Sequence, residues 1–402
     1  MLNVGAERPP PVVAKYYLYQ ATATYGLFWP VFTLFLLRRG LTYTQIGLLG
    51  SVSAALVVVG EIPTGYVGDR VGRRNSLLVG AALMTASVFG FVAAHTFPVF
   101  AALYVVWGLG MAFRSGSGDA WLYETLEERL DESAFTRVRG RGGSVNQWVS
   151  AGSMLAAGVL YSADPRLPFL AGGVVLAAGI PVLLSMPQTD HHTDGDALGV
   201  RDAVPVVKRQ LSRPPLRSTV AYLALFFGVA SAADEYIQPV AVNAVGLPES
   251  GLGPLYAGFT VAAAVASYYA SDVERLLSTQ WAVVLVPALV AAFLVVPFAL
   301  PVAALPAFFV LKSARSAVAP IANGYLNDHV DAAGRATVLS AASMTYALVR
   351  LPLQPVSGVV ADAATPVAAL AALGGLLLVG GAGVFAWEPP AAPTTGDGSA
   401  TE

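Results

Sequence analysis

Twelve stretches of about 20 apolar residues run through this chain, and a helix of that length crosses the hydrocarbon core of a bilayer with every backbone N–H and C=O satisfied inside the segment. Their limits read 16–37, 44–68, 76–94, 97–120, 142–163, 167–186, 217–241, 253–271, 279–299, 301–325, 337–361 and 365–387. They are called spans one to twelve below. With 55% hydrophobic and only 12% charged residues in 402, the chain is too apolar for an ordinary soluble domain. The expected fold class is therefore all-α integral membrane, with twelve transmembrane helices. The absence of cysteine excludes disulfides, iron–sulfur clusters and cysteine nucleophiles. Residues 1–15 are polar and carry Pro9, Pro10 and Pro11, so no cleavable leader is expected and the first span targets the chain.

One long polar gap, 187–216, separates six spans from six. It holds Asp190, His191, His192, Asp194 and Asp196, then Arg201, Lys208, Arg209 and Arg213. The expected organisation is a six-helix bundle over 1–187, a cytoplasmic linker over 188–216, a second bundle over 217–387 and a disordered tail over 388–402, rich in Pro, Thr, Gly and acid. With the N-terminus inside, sixteen of the 23 lysines and arginines lie in loops of that face, against Arg38, Arg39 and Arg166 on the other. That asymmetry predicts a cell-membrane protein with both termini cytoplasmic.

Between spans two and three, Gly65 to Arg74 reads GYVGDRVGRR, one carboxylate and three guanidiniums in what reads as a tight turn. Gly72 lets the backbone reverse, and the arginines hold the turn in water at one membrane face. This decapeptide resembles the signature loop of the major facilitator superfamily, Gly-x-x-x-Asp-Arg/Lys-x-Gly-Arg-Arg/Lys, matched by Gly65, Asp69, Arg70, Gly72, Arg73 and Arg74. The resemblance implies two pseudo-symmetric six-helix bundles and a conformational latch in which Asp69 pairs with a neighbouring helix end. The preceding run, Glu61 to Gly65 (EIPTG), resembles a group of such transporters that includes drug and metabolite exporters. Pro63 is expected to kink span two.

The two halves read as copies, in keeping with secondary transporters that hold substrate between paired bundles. Gly118 to Glu124 (GDAWLYE) closes span four ahead of Arg137, and Ala322 to Asp328 (ANGYLND) closes span ten ahead of Arg335. Ser271 to Arg275 (SDVER) is a degraded echo of the 65–74 segment.

Charges inside a membrane are costly and mark functional sites. Eight fall within spans: Glu61, Arg114, Asp119, Asp234, Glu235, Lys312, Arg315 and Arg350. Spans three, six, nine and twelve carry none, as expected if every third helix faces lipid. The superfamily's arrangement, with helices one, four, seven and ten lining a cavity, fits that map. Asp234 and Glu235 are adjacent, so on a helix they point about 100° apart and cannot both face one partner. Together they are the expected site for a proton or a substrate cation. Lys312 and Arg315, three apart, share a helix face and either neutralise those acids or bind an anion. Arg114 is the expected partner of Glu61, whereas Asp119 and Glu124 are expected to contact Arg70 or Arg73 as an inner latch. Tyr16, Tyr19, Tyr25, Phe28, Trp29 and Trp107 offer surfaces for an apolar or aromatic substrate, or for interface anchoring and packing. Span five lacks the glycine–proline motif typical of proton-coupled drug antiporters, since Ser150 to Gly158 contains no proline.

No phosphate-binding loop, His-Glu-x-x-His pair or Gly-x-Ser-x-Gly elbow occurs, so no enzyme, cofactor, metal or nucleic-acid partner is expected. The expected function is alternating-access secondary transport: proton-coupled efflux of amphipathic, drug-like compounds by a monomer in the lipid bilayer. Uptake or facilitated diffusion of a polar or anionic metabolite is the alternative. A non-transporting receptor is a distant third, because the chain has no sizeable soluble output domain.

Overall fold

Helices lie over all twelve apolar stretches in the computed structural model, which describes residues 9–189, 212–330 and 335–391, without the side chains of 57, 58, 61–69 and 335–337. Among the described residues there is no strand, and seven helices are long and apolar enough to cross a membrane by length and composition alone. The helix of span eight, Leu252–Tyr268, is short, and span five is diluted by Asn146 and Gln147.

The first span is not one helix. Pro11–Thr22 is helical, residues 23–28 are not, and Trp29–Val31 leads into Phe32–Arg38. The interruption coincides with Thr24, Gly26 and Pro30, poor helix formers, and with a close approach: a Cβ on Gly26 would stand 2.3 Å from the Ser150 carbonyl oxygen of span five. A break inside a membrane span frees backbone carbonyls. Asn146 Nδ2 donates to the Gln20 and Ala23 oxygens at 2.9 and 3.0 Å.

The arginine-rich segment also differs from the expected turn. Span two runs as one helix, Tyr43–Val71, through Pro63, and Arg73–Ala93 follows at once, so the reversal is confined to Gly72 at φ 95°. A similar reversal recurs in the second half: Ala270–Val295 is broken at Ser278, φ 65° and ψ 158°. Span seven is helical over Leu216–Ala233, then tightens to a 3₁₀ turn, Asp234–Tyr236, and loosens to a π turn, Val240–Ala244.

The chain divides into two compact units whose borders are not those of the two sequence halves. The first takes Glu249–Pro254 from the second half, and the second takes Thr33–Ser51 from the first. Glycines admit both strips. In the first unit a Cβ on Gly253 would stand 2.3 Å from the Met154 carbonyl oxygen, and one on Gly158 2.5 Å from that of Glu249. In the second, a Cβ on Gly47 would meet the Gln354 carbonyl oxygen at 2.5 Å. Backbone packs on backbone at each, which a side chain would prevent.

The first unit has an aromatic core in which Phe28, Phe32, Phe91, Trp107 and Phe169 interlock at centroid distances of 5.2–6.5 Å. The second packs Leu216, Val220, Leu326, Val338 and Ala342. The start of the expected disordered tail is tied down, since Arg217 Nη2 lies 2.6 Å from Glu388 Oε2 and Ala391 N–H donates to Thr219 Oγ1 at 2.8 Å. Residues 392–402, the linker residues 190–211 and the side chains of Glu61 and Asp69 lie outside the described residues, as does any side-chain feature at Gly65.

Candidate functional site

Intramembrane polar groups gather into one cluster in each unit. In the second unit the 3₁₀ turn of span seven carries both acids, and their side chains part. Asp234 Oδ2 accepts from Lys312 Nζ at 2.9 Å and from Arg315 Nη1 at 3.4 Å, so the two cations sharing a face of span ten converge on one oxygen. Asp234 Oδ1 is buried with no hydrogen-bond partner. Glu235 points elsewhere: Oε2 accepts from Thr33 Oγ1 at 3.4 Å and Oε1 from Gln354 Nε2 at 3.3 Å. Both donors are neutral. Arg350 sits one turn before Gln354 on span eleven, and its Nε is buried without a partner.

Gln238, one turn beyond Asp234, ties this cluster to its surroundings. Its Oε1 accepts from Leu34 N–H at 3.2 Å and its Nε2 donates to the Tyr256 hydroxyl at 3.2 Å.

In the first unit Arg114 occupies the break in span one. Its Nη1 donates to the Tyr25 hydroxyl at 2.9 Å and lies 3.5 Å from the Ala23 oxygen, and its guanidinium carbon sits 5.7 Å from the Tyr25 ring centroid. Tyr25 in turn directs its hydroxyl proton to Met84 Sδ at 3.9 Å. A cavity of about 160 Å³ opens beside Arg114, walled by Tyr16, Tyr19, Gln20 and Trp121 with Asp119 at its rim.

The expected inner latch is partly rearranged. Glu124 does meet Arg73, Nε to Oε1 at 3.2 Å, and also accepts from Thr189 Oγ1 at 2.6 Å. Asp119 meets neither Arg70 nor Arg73. It is exposed and pairs with Arg139, whose Nε and Nη2 lie 2.8 Å from its two oxygens, because span five begins seven residues earlier than hydropathy places it and brings Arg139 alongside span four. Arg74 Nη1 donates to the Met186 carbonyl oxygen at 3.1 Å.

Thr33, Asn146, Gln238 and Gln354 are functional candidates that a search for charges passes over. Their signal is an amide or hydroxyl at mid-span, weaker than a charge but unusual beside Leu, Val and Ala.

The chain as a whole is similar to known proteins. The chain matches the Major Facilitator Superfamily over residues 20–353, and it belongs to that superfamily. It is 26% identical over 247 residues to the uncharacterized MFS-type transporter YxaM of Bacillus subtilis (strain 168), a match covering 58% of this chain and 60% of that one. It is 33% identical over 159 residues to the vesicular acetylcholine transporter of Torpedo torpedo, covering 38% of this chain and 30% of that protein. The matches thus span less than two thirds of these relatives. Among solved structures, the nucleoside transporter NupG superposes with a TM-score of 0.77 at 10% identity, covering 93% of this chain and 97% of that one. A D-xylose-proton symporter follows with 0.68 at 14% identity, covering 94% and 96%. At these identities the likeness is one of fold. The chain is therefore a multi-pass membrane protein of a transporter superfamily.

Proposed function

We propose that this protein is a secondary active transporter that moves a small organic molecule by alternating access, with a proton as coupling ion carried by Glu235. The observation behind this reading is the separation of two adjacent acids. Asp234 is neutralised by Lys312 and Arg315, whereas the described hydrogen-bond partners of Glu235 are the neutral Thr33 and Gln354. Loading or releasing a proton at Glu235 changes the charge of the cluster without breaking an ion pair. Intramembrane carboxylates of this kind serve as proton relays. Asp234, Lys312 and Arg315 then belong to the substrate rather than to the proton, while Arg350 lies near enough to Glu235 for its charge to act on that carboxylate. Glu61, Arg114, Asp119 and the latch residues Gly65, Asp69, Arg70, Gly72, Arg73, Arg74 and Glu124 bias the conformational change or line the path.

Export of amphipathic compounds is the direction we favour, on the likeness of the Glu61–Gly65 run to exporters. The partial similarity to vesicular acetylcholine transporters supports a cationic cargo. Symport or facilitated passage of a polar or anionic metabolite is the second reading. Within the spans of the second unit, three cations (Lys312, Arg315 and Arg350) against two acids (Asp234 and Glu235) favour it.

The test is transport of cationic, neutral and anionic compounds in proteoliposomes under an imposed pH gradient. We expect gradient-driven movement of one class, abolished in Glu235→Gln, with Asp234→Asn altering substrate affinity. Gradient-driven movement that survives Glu235→Gln would overturn the proton assignment.

A further inference from the structure

A guanidinium inside a membrane span needs compensation, and Arg114 has little of it on its own side. Among the described residues its partners are the Tyr25 hydroxyl, the Tyr25 ring and the Ala23 carbonyl oxygen, all uncharged. The acid at the cavity rim, Asp119, is already engaged at both oxygens by Arg139. Arg114 therefore sets the sign of the cavity it borders. A cavity of about 160 Å³ is also far larger than the ~15 Å³ that a single water occupies by the same measure.

We infer that this cavity of the first unit binds the carboxylate of an amphipathic organic acid about the size of benzoate, with Arg114 as its anchor. Nη1 is spent on Tyr25, which leaves the remaining N–H groups of a planar fork, the donor geometry that matches a carboxylate. The hydroxyl of Tyr19, on the cavity wall, is buried with no hydrogen-bond partner. It supplies a further donor. One wall is aromatic, because Tyr16 and Trp121 stack on each other with centroids 6.3 Å apart and planes 21° from parallel. Gln20 Nε2 donates to the Tyr16 hydroxyl at 2.8 Å and fixes that ring. The charge of Arg114 and the pairing of Asp119 together disfavour a cation here. The inference deepens the transport reading by naming a substrate class, and it rests on that reading for its role in the cell, though not for the binding event itself.

The experiment is equilibrium binding of radiolabelled benzoate to the purified full chain in detergent, with benzamide and benzylammonium as neutral and cationic competitors and melting temperature as the check on folding. Saturable binding displaced by unlabelled benzoate, and by neither competitor, is the expected result. Arg114→Gln should weaken it at least tenfold, Arg114→Lys less, and Tyr19→Phe about threefold at an unchanged melting temperature. No binding to the wild type, or equal binding to Arg114→Gln, overturns the inference. So does loss of binding in Lys312→Met with Arg114→Gln unaffected, which would move the anion site to the second unit. Binding that appears only in Glu61→Gln also overturns it, because a carboxylate of the chain would then fill the fork. Benzoate binding with no gradient-driven transport of any compound would sustain the site while defeating the transporter reading. Gradient-driven transport without benzoate binding would do the reverse.

Discussion

Asp362, one residue past span eleven, caps the start of span two through Thr44. One carboxylate oxygen accepts the Tyr43 N–H at 2.8 Å, while the other accepts the Thr44 N–H at 2.9 Å and the Thr44 hydroxyl at 2.6 Å. Both residues belong to the second compact unit. The first amides of a helix lack partners, and an anion there satisfies them and complements the helix dipole. Replacing Asp362 with Ala should cost about 1 kcal/mol, the usual worth of such a cap, read as a lower melting temperature in detergent. Burial pushes this carboxyl up, but the Thr44 hydroxyl and the two N–H donors outweigh burial and hold it below the usual carboxylate range. Its contribution is therefore constant above the unfolded carboxylate value of about 4 and is lost as the pH falls below it. The wild-type melting temperature should approach that of Asp362→Ala only in that acid range. A gap between the two that persists undiminished there would refute the assignment.

Pro355 has no N–H, so the carbonyl of Leu351, four residues earlier in span eleven, loses its helical partner. Ser51 Oγ lies 2.6 Å from that oxygen, closer than the 2.9 Å to its other acceptor, the Gly47 carbonyl, and supplies the missing donor. Ser51→Ala should destabilise the protein by about 1 kcal/mol, the net worth of a hydrogen bond to this half-buried acceptor. In a Pro355→Ala background the helix recovers its own bond, and the same serine change should cost much less. A double-mutant cycle with no coupling would show that the hydroxyl does nothing for the proline.

Ser278 holds φ 65° and ψ 158°, a backbone region that suits glycine, at a helix break like the one where the first half has Gly72. Ser278→Gly should stabilise the protein by about 1 kcal/mol, the strain released. An unchanged or lower melting temperature would contradict the strained geometry.

At Gly253, in the strip Glu249–Pro254, a Cβ would stand 2.3 Å from a backbone oxygen that cannot step aside. Gly253→Ala should loosen this strip from span five. The chain has no cysteine, so a single cysteine introduced at Ser250 reports without background. Its labelling by a membrane-impermeant maleimide should rise in the Gly253→Ala protein. Equal labelling would mean that the seam yields elsewhere.

Hydropathy and length made the all-α membrane fold legible, because a helix in lipid is specified by a run of apolar residues whatever their order. The Asp69, Gly72 and Arg73 pattern made the family legible. The break in span one was not, since Ala23 to Phe28 remains apolar enough to read as continuous helix and the cause is the approach of Ser150 to Gly26. Charge counting found Asp234 and Lys312 but not Thr33 or Gln354, whose importance lies in being neutral beside Glu235. The displaced partner of Asp119 follows from a helix start at Phe135 that polar residues conceal. The two exchanged strips depend on backbone contacts at glycines, and local sequence does not encode which distant carbonyl a glycine will meet.

The exchange of strips has a bearing on biosynthesis. The first unit is incomplete until Pro254 has been translated, which is after the linker and span seven have been synthesised. Six nascent spans therefore reach the bilayer with the seat beside Gly158 still empty. The first six spans are therefore made before either unit can be complete, so a chain halted at the linker should be a target for quality control rather than a stable half.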